Sequence, residues 1–300
     1  MTEHVSSLES RKKITEIYKK KVHGKQPDTS KMTKTHDGKK GHWLEDMMGS
    51  KRDASNKPDL HGYEMKTGEK KTSFGDWGPD YFIYRDEEKF SNLIGKKGRE
   101  KQKLNNKNKD EIFLKAFGAW RNADEDSHEY KLDGNSITWK DIGKEGYYSW
   151  SGGPSPNKVS DEVNAFGQEI VINKNNSISI MYHYSEDTRK NKTKLVPKEF
   201  QIEKLELFGW SQEWLKEKVE NKFNVNGWFK CNIKKGRFYE IIFGDKITLS
   251  TWLKWVREGD VNFDPRMKER RPDGTDRYGM QWRASSAFWK SKAVETYPEE

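Results

Sequence analysis

The chain has 300 residues, with 57 Lys and Arg against 48 Asp and Glu and a formal net charge of +9. Charged residues make up 35% and hydrophobic ones only 32%, yet 12 Trp, 12 Tyr and 14 Phe supply the bulk of a real core, which excludes a disordered chain. The one cysteine, Cys231, excludes an intramolecular disulfide and a multi-cysteine zinc site, and no apolar run approaches membrane-spanning length.

A basic balance favours polyanionic partners such as nucleic acid. Much of the excess lies early: residues 1–40 carry 11 Lys and Arg against 5 Asp and Glu. The N-terminal sequence has no apolar signal core, so a cytoplasmic protein without a membrane role is expected.

In chain order, Leu8, Ile14, Ile17, Tyr18 and Val22 recur near helical period, predicting a basic amphipathic helix over 7–22. A polar loop follows to residue 41, then a short helix over 41–49 that Gly49 ends. Residues 60–66 and 81–85 read as strands with a turn-rich segment between them. The basic stretch 95–109 reads as mobile or ordered only by a partner, and the apolar run 111–120 fits strand or helix. Later, 168–184 reads as a hairpin turning near Asn175 and Asn176, 211–223 as a helix, 237–243 as a strand and 248–259 as a helix closed by Gly259. Trp210, Trp214, Trp252 and Trp255 are expected in the core, and "WSGGPSP" (150–156) in a loop. The elements predict one α/β unit of two lobes, with a boundary near residue 130.

The segment "PDLHGYEMKTG" (58–68) carries the chemistry. Side chains alternate along a strand, so Glu64 and Lys66 share a face. Asp59 and Glu64 suit a hard divalent cation such as magnesium, with the Met65 carbonyl as a further oxygen. Lys66 could then orient or deprotonate a water that attacks a phosphodiester. Glu45, on the preceding helix, could hydrogen-bond the lysine or a metal-bound water. A solvated turn with a surface ion pair would satisfy the same residues, and His61 reads as packed or solvated rather than catalytic.

The stretch 41–69, with Gly41, Glu45, "PDLH" and "EMK" in order, resembles the catalytic segment of the MvaI and BcnI group, in the MutH-like branch of the PD-(D/E)xK nucleases. A second block, 249–285, is similar to the group's helix, Gly-Asp turn, Asp-x-Arg strand and closing strand with Gly and Arg. The resemblance implies a mixed β-sheet flanked by helices, with two lobes forming a DNA cleft: residues 1–130 as catalytic lobe and 131–300 as recognition lobe. It implies Asp59 and Glu64 as metal ligands, Lys66 as the catalytic lysine and Glu45 as its helical partner.

In the second block, Asp264, Arg266 and Arg283 correspond to positions facing DNA. Arginine donates a bidentate pair to guanine and aspartate accepts from cytosine, so these types suit a target containing G·C pairs. Phosphate contacts or rim ion pairs would use the same side chains. Where the group has His-Asp-His before a glycine, this chain has Asp276, Arg277 and Tyr278 before Gly279, so its target sequence does not carry over.

The reading that results is a magnesium-dependent type II endonuclease that cuts double-stranded DNA at a short site. It implies a monomer whose functional counterpart is a cognate DNA methyltransferase. Two alternatives stay open, a strand-nicking repair endonuclease and a catalytically inactive DNA-binding module.

Overall fold

The computed structural model describes residues 7–30, 38–50, 55–86, 106–125, 130–132, 134–160, 162–269, 271–273 and 279–298. Most of the basic stretch 95–109, and all of Asp276, Arg277 and Tyr278, lie outside the described residues. Two compact units form from interleaved segments: Met1–Gly75, Glu213–Trp255 and Arg283–Glu300 make the first, Asp76–Gln212 and Val256–Trp282 the second. Long-range strand pairing draws distant segments into one sheet, so each unit combines residues from both sides of position 130.

The first unit is built on a mixed four-stranded sheet, in the order Tyr63–Thr67, Gly227–Lys234, Arg237–Gly244 and Ala293–Tyr297. The first pair is parallel, with Glu64 beside Trp228 and Lys66 beside Lys230, and the other pairs are antiparallel. Tyr63, Met65, Phe229, Cys231, Phe238, Ile241 and Phe243 pack one face against Ile14, Tyr18, Leu44 and Met48. Those last four come from the helices Ser7–Lys21 and Lys39–Met48, close to the two helices predicted from sequence. Alternation sends Glu64, Lys66 and Trp228 to the opposite face. There an aromatic cluster forms, with ring centroids 4.5 Å apart for Phe74 and Trp289, 4.8 Å for Trp228 and Trp289 and 5.6 Å for Phe74 and Phe223.

In the second unit an antiparallel sheet runs Tyr81–Phe82, Leu205–Trp210, Ile178–Asp187 and Phe166–Ile172. Its last two strands are the expected hairpin, turning through Asn176 at φ 62°. Trp150, Phe208, Trp210, Phe263 and Trp282 fill this unit's interior, and the Trp150 indole donates to Gln168 at 2.7 Å.

Several segments depart from expectation. The turn-rich stretch after Thr67 contains a strand, Lys71–Asp76, in which Thr72 and Phe74 are buried; with Phe74 its one large apolar residue, the alternation is hidden. The strand predicted over 81–85 stops at Phe82 and tightens into a single turn, Ile83–Arg85. The ambiguous run 111–120 divides into a helix, Asn106–Phe117, and a strand, Ala119–Asn122. Among the described residues no helix is long and apolar enough to cross a membrane.

Candidate active site

Asp59 reaches the strand through a tight turn. Leu60 and Tyr63 exchange both backbone hydrogen bonds, at 3.0 and 2.9 Å, across His61 and Gly62, whose φ values are 49° and 79°. Two positive φ angles make this a type I′ turn, which Gly62 enters without strain. Asn226 locks it, its side chain donating to the His61 carbonyl and its amide to that of Gly62, both at 2.9 Å. The strand therefore begins at Tyr63 rather than at residue 60, and His61 is exposed at the turn.

The turn folds Asp59 back along the edge of its own strand. Its Oδ2 accepts the Met65 amide at 2.8 Å. The strand pairs with Gly227–Lys234 on its other side, so the Met65 amide is on the free edge. A residue's carbonyl points to the same side of a strand as its amide, so the Met65 carbonyl shares that edge. Burial, and then the charge of Glu64, push the Asp59 carboxyl up to about 6.

Glu64 lies on the sheet face with only 2% of its side chain exposed. Lys66 donates to Glu64 Oε1 at 2.8 Å and to the Phe74 carbonyl at 3.1 Å, and sits 5.2 Å from the centre of the Phe223 ring. A second ammonium, Lys222, reaches the same Oε1 at 3.1 Å. Burial pushes the Glu64 carboxyl up, but the two ammonium groups outweigh it and hold the group below its ordinary value. Burial lowers Lys66, against the pull of Glu64.

The structure thus brings Asp59, Glu64 and Lys66 together. Glu45 stands apart from their hydrogen bonds. Its helix packs on the sheet through Leu44 and Met48, and its half-buried carboxylate makes no hydrogen bond or ion pair among the described residues. Lys222 has no counterpart in the sequence reading. It is 158 residues from Glu64 and sits in a Lys- and Glu-rich helix, Gln212–Phe223, whose pattern looks like a solvated face.

Among the described residues no three His, Cys, Asp or Glu side chains gather into a metal cage. The fit to a cation rests on two carboxylates and one unsatisfied atom: Glu64 Oε2 is buried with no hydrogen-bond partner. A buried carboxylate oxygen left unpaired is costly, and a hard cation satisfies it.

The residues expected to face DNA divide between the units. Asp264 and Arg266 belong to the second, Arg283 to the first. Along Val261–Pro265 and onward, Val261, Phe263, Pro265 and Met267 are buried, while Asn262, Asp264 and Arg266 share the more open face. The backbones of Arg266 and Gly279 bond to each other in both directions, at 2.6 and 3.1 Å. In Met280–Ser285, Gln281 and Arg283 likewise alternate with buried Met280, Trp282 and Ala284.

The fold is shared with a known class. The solved complex of restriction endonuclease MvaI with its cognate DNA substrate is similar over 99% of this chain and 98% of that one, at a TM-score of 0.52 and 12% identity. The mixed α/β architecture is therefore that of a restriction endonuclease. The sequence model of the LlaMI restriction endonuclease family matches residues 22–297. The type II restriction enzyme ScrFI of Lactococcus lactis subsp. cremoris is 34% identical over 301 residues, covering 96% of this chain and 98% of the relative. The chain belongs to the LlaMI restriction endonuclease family and is a type II, site-specific DNA endonuclease. That assignment favours the first of the three readings left open by the sequence.

Proposed function

We propose that Asp59, Glu64 and Lys66 form the hydrolytic centre and that magnesium is its cofactor. The observation that carries this is the Glu64 carboxylate, buried beside Lys66 at 2.8 Å with its second oxygen unsatisfied. Type II restriction enzymes generally use a divalent ion. Asp59 and Glu64 would hold it; magnesium suits so few protein ligands because it keeps waters and takes substrate phosphate oxygens. When bound, such an ion supplies charge stabilisation at the scissile phosphate and a more acidic water.

Lys66 is the proton-handling group. Its amine lies against Glu64 in a site that disfavours its charge, so it orients the attacking water and accepts or relays its proton. The water oxygen bonds to phosphorus, the phosphodiester P–O bond breaks, and the leaving oxygen takes up a proton. Glu45 acts in support from its helix, through water rather than through a direct bond.

The first unit carries the chemistry, and Asp264, Arg266 and Arg283 are sequence-reading residues. Their shared open faces support this assignment, and that of Asp276, Arg277 and Tyr278 rests on the family resemblance. The lysine-rich segments 11–40 and 95–109 contact phosphates and make binding salt-dependent. The enzyme works in the cytoplasm on double-stranded DNA as a monomer that nicks the strands in succession, and a cognate methyltransferase shields the host's own sites.

Digestion of a plasmid of known sequence with magnesium, with and without EDTA, tests this. Discrete fragments whose sequenced ends share one short motif, and which vanish with EDTA, are expected. Fragments that persist in EDTA would overturn the metal reading.

A further inference from the structure

Glu64 Oε1 carries two ammonium groups while Oε2 carries none. The two cations are held differently. Lys66 comes from the same strand as Glu64, is tied also to the Phe74 carbonyl and has 10% of its side chain exposed. Lys222 comes from the end of the helix Gln212–Phe223, has 21% of its side chain exposed, and makes its one side-chain hydrogen bond among the described residues to Glu64. With both carboxylates ionised and both lysines charged the cluster is neutral; without Lys222 it has a net charge of −1.

We infer that Lys222 is a built-in counter-ion, which neutralises Glu64 in the metal-free enzyme and competes with the incoming divalent cation for it. The inference rests on the reading of Glu64 as a metal ligand. A buried carboxylate with no cation costs free energy, so a lysine that covers it stabilises the empty site. The same lysine repels a divalent cation and must give up Oε1, or share it, when one binds. Lys222 is thus a positioning residue that sets how tightly the site takes metal. Phe223, buried against Lys66, anchors the helix end that carries Lys222. Lys218, one turn earlier, lies 4.0 Å from the centre of the Trp214 ring and pairs with Glu217, so it supplies the same charge outside the cluster.

The test titrates metal-free protein with Mn²⁺ alone, without DNA, counting free ion by electron paramagnetic resonance. Lys222→Met is expected to bind about ten-fold more tightly than wild type, from loss of one nearby like charge. Lys218→Met should match wild type, Lys222→Arg should stay near it, and Glu64→Gln should lose binding. The melting temperature supplies a second signature: metal-free Lys222→Met should melt lower than wild type and gain more from Mn²⁺. Should Lys222→Met not fold, Lys222→Gln removes the charge and keeps a donor. Equal or weaker Mn²⁺ binding by the charge-removing variants would overturn the inference while leaving Glu64 as a ligand. Binding unaffected by Glu64→Gln would overturn the ligand reading, and the inference with it.

Discussion

Lys66 and Lys230 are direct partners in the parallel ladder, yet their ammonium groups part company. Lys66 turns to Glu64, whereas Lys230 donates to the Gly68 carbonyl at 2.9 Å and to Asn232. Asn232 in turn donates to Glu240 at 2.6 Å. One lysine is thus committed to the candidate centre and the other to a buried polar network that runs through Asn232 to Glu240. Lys66→Met is expected to lower single-turnover cleavage of plasmid about 10³-fold, the usual scale for losing a proton-transfer group. Lys230→Met should retain most of the cleavage rate, as the same assay would show.

Lys230 should instead report in stability. Burial, opposed by Glu240, lowers its amine from 10.5 to about 8. Between those values the unfolded chain binds the proton and the folded one does not, so folding stability rises with pH from about 8 to 10.5. Below pH 8 that contribution is gone. Denaturant unfolding of wild type minus Lys230→Met across this window should show a difference rising by about 2 to 3 kcal/mol. A flat difference would place the ammonium in a more hydrated setting.

Phe74 joins the core to the site. Its carbonyl holds Lys66, while its ring packs at a tilt against Trp289, with centroids 4.5 Å apart. Trp289→Ala is expected to cost about 3 to 5 kcal/mol in denaturant unfolding, the range for a large buried aromatic. It should also slow cleavage, because the cavity loosens the segment that fixes Lys66. Normal turnover in the folded variant would separate the two roles.

Gly227 opens the central strand at φ 106°, and a methyl group there would lie 2.2 Å from the Gly244 carbonyl oxygen. Gly227→Ala therefore combines left-handed strain with a backbone clash and should destabilise the protein by about 3 kcal/mol. Thermal melts of variant and wild type would show the loss directly.

Arg283 tests the sequence-reading face. Arg283→Ala should weaken binding to the recognition site by about 1 to 3 kcal/mol while hardly changing affinity for random DNA. Equal losses on both, measured by gel shift at fixed salt, would assign Arg283 to phosphate contact.

The site was legible where chemistry follows short-range pattern. Period-two alternation in "YEMK" placed Glu64 and Lys66 on one face, and they meet at 2.8 Å. "HG" was absorbed into the strand, although two positive φ angles there make the turn that delivers Asp59. The strand Gly227–Lys234 escaped because it is buried at seven of eight positions. A strand covered on both faces shows no alternation. Lys222 was invisible for a different reason: only tertiary pairing across 158 residues puts it on Glu64.

Among the described residues the strand bearing Glu64 and Lys66 has one ladder partner in its sheet, Gly227–Lys234, more than 150 residues further along the chain. A chain broken off before residue 227 carries the whole motif without the strand that pairs with it. Lys222 and the Asn226 lock emerge at almost the same moment as that partner. A fragment that ends before residue 227 is therefore expected not to cut, because the strand that carries Glu64 and Lys66 lacks its ladder partner.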